Sequence, residues 1–384
     1  MALFEYFPNY VWNLSLAIAL ESGGRIGEII DMCAPIREAA ARGDDAGTPA
    51  FMREWVRMAD KLSQLAAEDV SKGRKFSAGE KLRRAALYYQ VAERMQDRDD
   101  PQRAATYRKA LESFNLAMAY TREPTERVTI AWQGAELSAL YTRAEGDKCP
   151  AVIYCNGLDS TKELLWLTFL PSALAKRGIS SLCVDQPGTG EALRLHGLPA
   201  THEAERWASA WVDWLEQQPE IDSKRIGMTG ISLGGYFAPR AVAFEPRFAA
   251  GAAWGANHDW AEVQKQRLQR EGENPVPHYW NHVMWVFGAR TLEEFLVKSK
   301  GMTLEGVLQR IRVPFLIVHG ESDRQINVEY ARRSFAQLVN SPQRELKILT
   351  AREGGVEHVG ADNMSFGRDY IADWFAEQLG GHVS

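Results

Sequence analysis

A chain of 384 residues, 45% hydrophobic and 25% charged, carries the apolar surface of a folded protein, which excludes intrinsic disorder and leaves room for one large core plus a second module. Its formal net charge of -5 supplies no basic field for a phosphate backbone or an anionic bilayer, so neither nucleic acid nor a membrane is an expected partner. The four cysteines, Cys33, Cys149, Cys155 and Cys183, show no CxxC spacing, and two of them sit in apolar runs; this is the pattern of buried thiols in a reducing, cytoplasmic setting.

The apolar stretch from Tyr10 to Leu20 is preceded by Glu5 and by no Lys or Arg. It reads as an ordinary helix rather than a signal peptide, and no run has the apolar length that a bilayer span requires. Helical periodicity continues to about Thr121. The basic run Lys72 to Lys75 reads as a solvated helix end. Ser77 with Glu80 predicts a capping box, after which Leu82, Ala86 and Tyr89 share a face. Asp100 before Pro101 predicts an N-cap with proline at the first helical position, and Tyr107, Leu111, Phe114 and Met118 form an apolar stripe. Residues 1–126 are therefore expected to form an all-helical domain or cap.

Near Arg127 the texture changes to short β-rich runs: Val128 to Trp132, Leu137 to Thr142, Ala151 to Cys155, Ile179 to Asp185, Ile226 to Gly230, Ala249 to Trp254, Pro314 to His319 and Glu345 to Leu349. Eight strands with intervening helices predict an α/β domain over 127–384, its mostly parallel sheet covered on both faces. Trp207, Trp211 and Trp214 recur at helical spacing, a core stripe. From about 256 to 310 the alternation is interrupted by an aromatic and charged segment too long for a plain connection. A helical lid over the carboxyl edge of the sheet is expected there.

The strongest chemical signal is Gly230-Ile231-Ser232-Leu233-Gly234, directly after one strand and directly before a helical run. A hydroxyl held in a sharp strand-to-helix turn is what acyl transfer needs, and flanking glycines permit the strained backbone. A serine hydroxyl is a poor nucleophile without a base, so an acid and then a histidine should follow, each just after a late strand. Asp323 follows the strand Pro314 to His319, with Glu321 as a rival acid closer to the strand, and His358 follows the strand Glu345 to Leu349. Histidine is the side chain suited to serve as a base near neutral pH.

Two main-chain donors must face the oxyanion. The amide of Leu233 is one candidate; Leu158, in Asn156-Gly157-Leu158-Asp159, occupies the donor's place in the histidine-glycine loops of serine hydrolases. Asn156 replaces the histidine there, at little expected cost because the donor is a main-chain group. Asp185 to Glu191 lacks GxGxxG and the Walker lysine and reads as a structural turn. His319 reads as a packed strand-end residue, and His196, His202 and His382 lie outside the pattern. His278 and His282 stand four apart but lack an HExxH acid or a further ligand, so no metal is expected.

With these motifs in place, the sequence resembles the two-domain α/β-hydrolases that include 2,6-dihydroxypseudooxynicotine hydrolase, fungal hydrolases that shorten polyketide chains, and related esterases. The resemblance covers most of the chain, including Leu82 to Phe114, the loop Gly157 to Glu163, Asp185 to Glu191, and Ser232 through Trp254. It implies the α/β-hydrolase fold, a helical domain roofing the active site, no cofactor, a small-molecule substrate and a homodimer. In several members it implies hydrolysis of a carbon-carbon bond next to a ketone. Some members use an additional acidic residue after the strand ending at Trp254, where this chain reads Gly255-Ala256-Asn257-His258-Asp259-Trp260. Glu163, His258, Asp259 and Glu262 are the candidates for an auxiliary acid or substrate contact.

Three functional readings follow. The first is a serine hydrolase cleaving a 1,3-dicarbonyl or aryl ketone through Ser232, His358 and Asp323. The second is a carboxylesterase for a hydrophobic substrate, motivated by Trp260, Trp280 and Trp285 in the lid segment. The third, from another class, is a binding protein that keeps the fold without catalysis.

Overall fold

The computed structural model describes residues 5–42, 48–94, 96–270 and 278–384. Five helices precede the first strand: α1 (Tyr10–Glu21), α2 (Ile26–Ala41), α3 (Thr48–Ser71), α4 (Lys75–Glu93) and α5 (Arg103–Thr121). Of the described residues, one unit contains 5–124 and 278–282, and the other contains 125–270 and 283–384. The segment 256–310, expected as one insertion, is thus divided between the two.

Aromatic rings dominate the interior of the helical unit. Trp55 has no exposed surface; it stacks on Phe51 at 5.4 Å and meets Tyr88 edge-on at 5.5 Å, geometries that add to the burial of the rings themselves. The stripe on α5 faces inward through Tyr107, Phe114 and Met118. Both expected helix starts need correction. Ser77 lies inside α4, whose N-cap is Arg74 with no side-chain cap bond, because Gly73 in the left-handed region turns the chain straight from α3 into α4. Asp100 does accept the Gln102 amide at 2.8 Å, yet α5 begins only at Arg103, so Pro101 sits in the preceding turn.

All eight predicted strands form: β1 (Thr125–Trp132), β2 (Ala135–Thr142), β3 (Cys149–Cys155), β4 (Ser180–Val184), β5 (Ile221–Ile231), β6 (Phe248–Trp254), β7 (Phe315–Gly320) and β8 (Arg344–Leu349). They make one sheet in the order β1-β2-β4-β3-β5-β6-β7-β8. β1 and β2 are an antiparallel hairpin and β2 runs antiparallel to β4; every later pairing is parallel. The hairpin closes through Gln133 and Gly134, both at positive φ, as a two-residue turn matched to strand twist requires. β3, β4 and β7 are buried throughout, the signature of parallel strands covered on both faces.

The covering helices are α6 (Lys162–Trp166), α7 (Leu170–Ala175), α8 (Gly190–Arg194), α9 (Ala204–Glu216), α10 (Gly234–Phe244), α11 (Trp260–Arg270), α12 (Tyr279–Val286), α13 (Leu292–Ser299), α14 (Val328–Gln337) and α15 (Met364–Leu379). Trp207 and Trp211 on α9 have no exposed surface, as the stripe predicted. Trp260 on α11 is buried against Phe287 and Phe295, with ring centroids at 4.9 and 5.5 Å, so this tryptophan is committed to packing between helices. Among the described residues, no helix is long and apolar enough to cross a membrane.

The helical unit offers a direct test of its core. Trp55→Ala removes a fully buried indole and is expected to cost about 3–5 kcal/mol of stability. Chemical denaturation followed by circular dichroism would register this as an earlier unfolding transition, and an unchanged midpoint would mean that the ring is not buried as described.

Candidate active site

Ser232 is the first residue of the two-residue turn, Ser232–Leu233, that joins β5 to α10. Its φ of 58° places a non-glycine residue in the left-handed region, a strained conformation that persists only where the surroundings over-determine it. They do so here. The Ser232 amide donates to Trp254 O at 2.8 Å on the neighbouring strand, and Ser232 O accepts from the Gly235 amide at 2.8 Å. Gly230 cannot be enlarged, because a Cβ there would lie 2.3 Å from Gly234 O and 2.6 Å from Cys155 Sγ.

From this elbow a hydrogen-bonded chain runs to a buried carboxylate. Ser232 Oγ lies 2.8 Å from His358 Nε2, and His358 Nδ1 lies 2.8 Å from Asp323 Oδ2. An ionised carboxylate can only accept, so Nδ1 carries the proton and Nε2 is left to accept from the serine hydroxyl. Asp323 Oδ1 accepts the Gln325 and Ile326 amides, each at 2.8 Å. Burial alone would raise the pKa of this carboxyl. The charge and hydrogen bond of His358, the nearby His319 and the Ile326 amide outweigh burial and hold it below the ordinary carboxylate value. Glu321, the rival acid, is exposed and accepts the Ala351 amide at 2.8 Å instead.

His319 deserves more than the packed-residue reading given to it from sequence. Its Nδ1 accepts the Ala256 amide at 3.1 Å and its Nε2 donates to Ile326 O at 2.9 Å, 3.6 Å from Asp323 Oδ2. Burial pushes its pKa down, and the two bonds, one accepted and one donated as by a neutral ring, fix the turn on which Asp323 rides. A comparable anchor holds the histidine loop. Asp362 accepts three consecutive amides just before His358, from Gly355 at 2.9 Å, Val356 at 3.1 Å and Glu357 at 2.8 Å. No sequence motif announced Asp362; an acid four residues beyond a loop histidine is its only local trace.

The other face of Ser232 meets the loop after β3. A Cβ on Gly157 would lie 3.0 Å from Ser232 Cβ, so main chain approaches Ser232 closely. In this loop the Asn156 amide donates to Gln186 Oε1 at 3.1 Å and the Gly157 amide to Ser160 Oγ at 3.1 Å. Among the described residues, the amides of Leu158 and Leu233 have no hydrogen-bond acceptor. Asn156 corrects the expectation that its identity costs little. It has no exposed surface, and its side-chain amide donates to Val184 O at 2.8 Å and Asp185 Oδ1 at 3.2 Å.

The four auxiliary candidates each have other partners and no bond to Ser232 or His358. Glu163 is buried against Lys162 Nζ at 2.6 Å. His258 is buried between Ser334 Oγ at 2.9 Å and Glu305 Oε2 at 3.2 Å. Asp259 accepts the Glu262 amide at 2.8 Å at the start of α11, and Glu262 pairs with Arg333 at 3.2 Å. His278 faces Asp97 at 3.4 Å and His282 faces Arg103 at 3.3 Å, while His196, His202 and His382 are exposed. Among the described residues, no group of three or more His, Cys, Asp or Glu side chains could hold a metal ion.

A mostly parallel eight-stranded sheet, a serine elbow after its fifth strand, and an acid and a histidine after its seventh and eighth define an α/β-hydrolase. The chain belongs to the prolyl oligopeptidase family, whose model matches residues 170–382, and the FrsA-like esterase model matches residues 46–273. It is similar to 2,6-dihydropseudooxynicotine hydrolase of Paenarthrobacter nicotinovorans, 29% identical over 85% of this chain and 83% of that protein. It is similar also to the hydrolase acrC of Aspergillus aculeatus, 26% identical over 81% of this chain and 82% of that protein. The crystal structure of 2,6-dihydroxy-pseudo-oxynicotine hydrolase superposes with a TM-score of 0.78 at 25% identity, covering 94% of this chain and 95% of that one.

The electrostatics of Asp323 make a prediction about pH. With the Asp323 pKa held below the ordinary carboxylate value, this carboxyl should add no proton of its own to the acid limb of kcat/KM. A plot of log kcat/KM against pH should therefore fall with a slope of one; a slope of two would mean that a second group, Asp323 foremost, titrates with the base.

Proposed function

We propose that this hydrolase cleaves a carbon-carbon bond adjacent to a ketone, in a 1,3-dicarbonyl or aryl ketone substrate, by covalent catalysis at Ser232. The observation that carries the catalytic part is the continuous bond from Ser232 Oγ through His358 to the buried Asp323, at 2.8 Å for each step. The Leu158 and Leu233 amides, without acceptors among the described residues, are suited to receive the oxyanion. The substrate class is supported by the long alignment with a hydrolase of pseudooxynicotine type, which spans 85% of this chain.

On this reading Ser232 Oγ attacks the ketone carbonyl as its proton passes to His358 Nε2. The new alkoxide is held by the two amides while the C–C bond breaks, and the leaving carbanion, stabilised by resonance, takes the proton from His358. Water then gives a proton to His358, attacks the acyl-enzyme and releases a carboxylic acid, restoring the serine. An ester would pass through the same states with an alkoxide leaving. The match to the FrsA-like esterase model over residues 46–273 favours that second reading, in which the chain is a carboxylesterase for a hydrophobic ester.

A turnover screen of the protein and its Ser232→Ala variant, against paired 1,3-diketones and esters that release the same acid, separates these readings. Serine-dependent diketone cleavage is expected, with Ser232→Ala lowering kcat by about a millionfold or to the limit of detection. Ester turnover with inert diketones would establish the second reading. Full activity in Ser232→Ala would overturn both.

A further inference from the structure

The loop between β3 and α6 carries the Leu158 amide, and both of its ends terminate on one carboxylate oxygen. Asp185 Oδ1 accepts the Lys162 main-chain amide at 2.7 Å and the Asn156 side-chain amide at 3.2 Å. Its other oxygen accepts the Lys162 ammonium at 3.1 Å and the Glu191 amide at 2.9 Å. Lys162 has no exposed surface and also meets Glu191 and Glu163, each at 2.6 Å, while Arg127 holds Glu191 at 2.6 Å. Burial would drive the Lys162 pKa down, but Asp185, Glu163 and Glu191 together raise it. Burial would likewise raise Glu191; Arg127 and Lys162 draw it down to about 2. Within this cluster the pairing therefore favours the charged forms of Lys162 and Glu191, while burial raises the pKa of Glu163.

From that cluster a polar chain extends toward the nucleophile. Asn156 Oδ1 accepts the Ser160 hydroxyl at 2.7 Å, and Ser160 Oγ accepts the Gly157 amide at 3.1 Å. Three consecutive amides thus have different fates: Asn156 and Gly157 are satisfied by side chains, and Leu158 is left without an acceptor among the described residues. We propose that Asn156 and Ser160, anchored on the buried Asp185, Lys162 and Glu191 cluster, are positioning residues that aim the Leu158 amide at the oxyanion. The inference rests on Ser232 as nucleophile and Leu158 as donor. Neither Asn156 nor Ser160 bonds to His358 or Asp323, so their effect should be confined to stabilisation of the tetrahedral state.

The test is Ser160→Ala in the full chain, with Ser160→Thr as the conservative rescue. The readouts are kcat and KM on the best substrate of the paired screen, the melting temperature, and the affinity for trifluoroacetophenone followed by fluorine NMR. Trifluoroacetophenone forms a hemiketal that must place an oxyanion against the same donors. Removal of one oxyanion donor costs about a hundredfold to a thousandfold in kcat, so misdirecting it should cost about tenfold to a hundredfold. Ser160→Ala is expected to lose that factor in kcat and in hemiketal affinity, with KM, melting temperature and the acid limb unchanged, and Ser160→Thr to recover most of it. Parental kcat and hemiketal affinity in Ser160→Ala, or a loss accompanied by a lower melting temperature and a raised KM, would overturn the inference. If Ser232→Ala is dead while Ser160→Ala is unimpaired, only this inference falls; if Ser232→Ala is active, the nucleophile assignment beneath it falls first.

Discussion

A carboxylate with no exposed side-chain surface, Asp323, orders the His358 side of the site. Taking such a charge out of water is costly, and the cost is met only if every lone pair finds a donor. The Gln325 and Ile326 amides occupy one oxygen, and His358 Nδ1 occupies the other with His319 close behind. Because these donors come from the turn after β7 and the loop after β8, satisfying one charge fixes two pieces of chain. The tautomer of His358, and with it the basic lone pair facing Ser232, follows from that requirement.

The same physics operates on the opposite side of Ser232. In the sheet order, β5 lies between β3 and β6, with β4 beyond β3 and β7 beyond β6. Asp185 after β4 and Asp323 after β7 are thus buried carboxylates on the two flanks of Ser232. Each draws donors from a neighbouring loop: Asp323 orders His358, and Asp185 gathers both ends of the loop bearing Leu158. Breaking one partner out of a buried ion pair typically costs about 3–5 kcal/mol, so both flanks resist drift. The elbow between them stores backbone strain at Ser232, and the parallel strands on either side keep that strain from relaxing.

How much of this could be read from the sequence depends on the range of the interaction. The eight strands and the core stripe on α9 are periodic signals, and periodicity is local. The order of Ser232, Asp323 and His358 was legible because each residue follows a strand, and parallel strands end on the same edge of the sheet. Ser77 illustrates a local signal that was overridden: the turn at Gly73 starts α4 earlier than its capping pattern implied. Asn156 was read as a neutral replacement because only its main chain was considered, whereas its partners Val184 and Asp185 lie about thirty residues away and no spacing rule reaches them. Asp362 escaped notice for a different reason. Its bonds are short-range, but an aspartate accepting main-chain amides has no distinctive neighbours in sequence.

The choice between carbon and oxygen leaving groups can be stated as a demand on this geometry. On the proposed reading both reactions load the same alkoxide onto the same two amides, so those donors would not discriminate between them. The difference lies in the leaving group, which for a C–C bond must be a carbanion delocalised into a carbonyl or an arene if it is to depart at a useful rate. Glu163, His258, Asp259 and Glu262 have partners of their own, and none bonds to His358. On the proposed reading, then, the proton for the departing carbon comes from His358, and selectivity resides in the electronics of the substrate: a 1,3-dicarbonyl supplies its own electron sink, where a simple ketone supplies none.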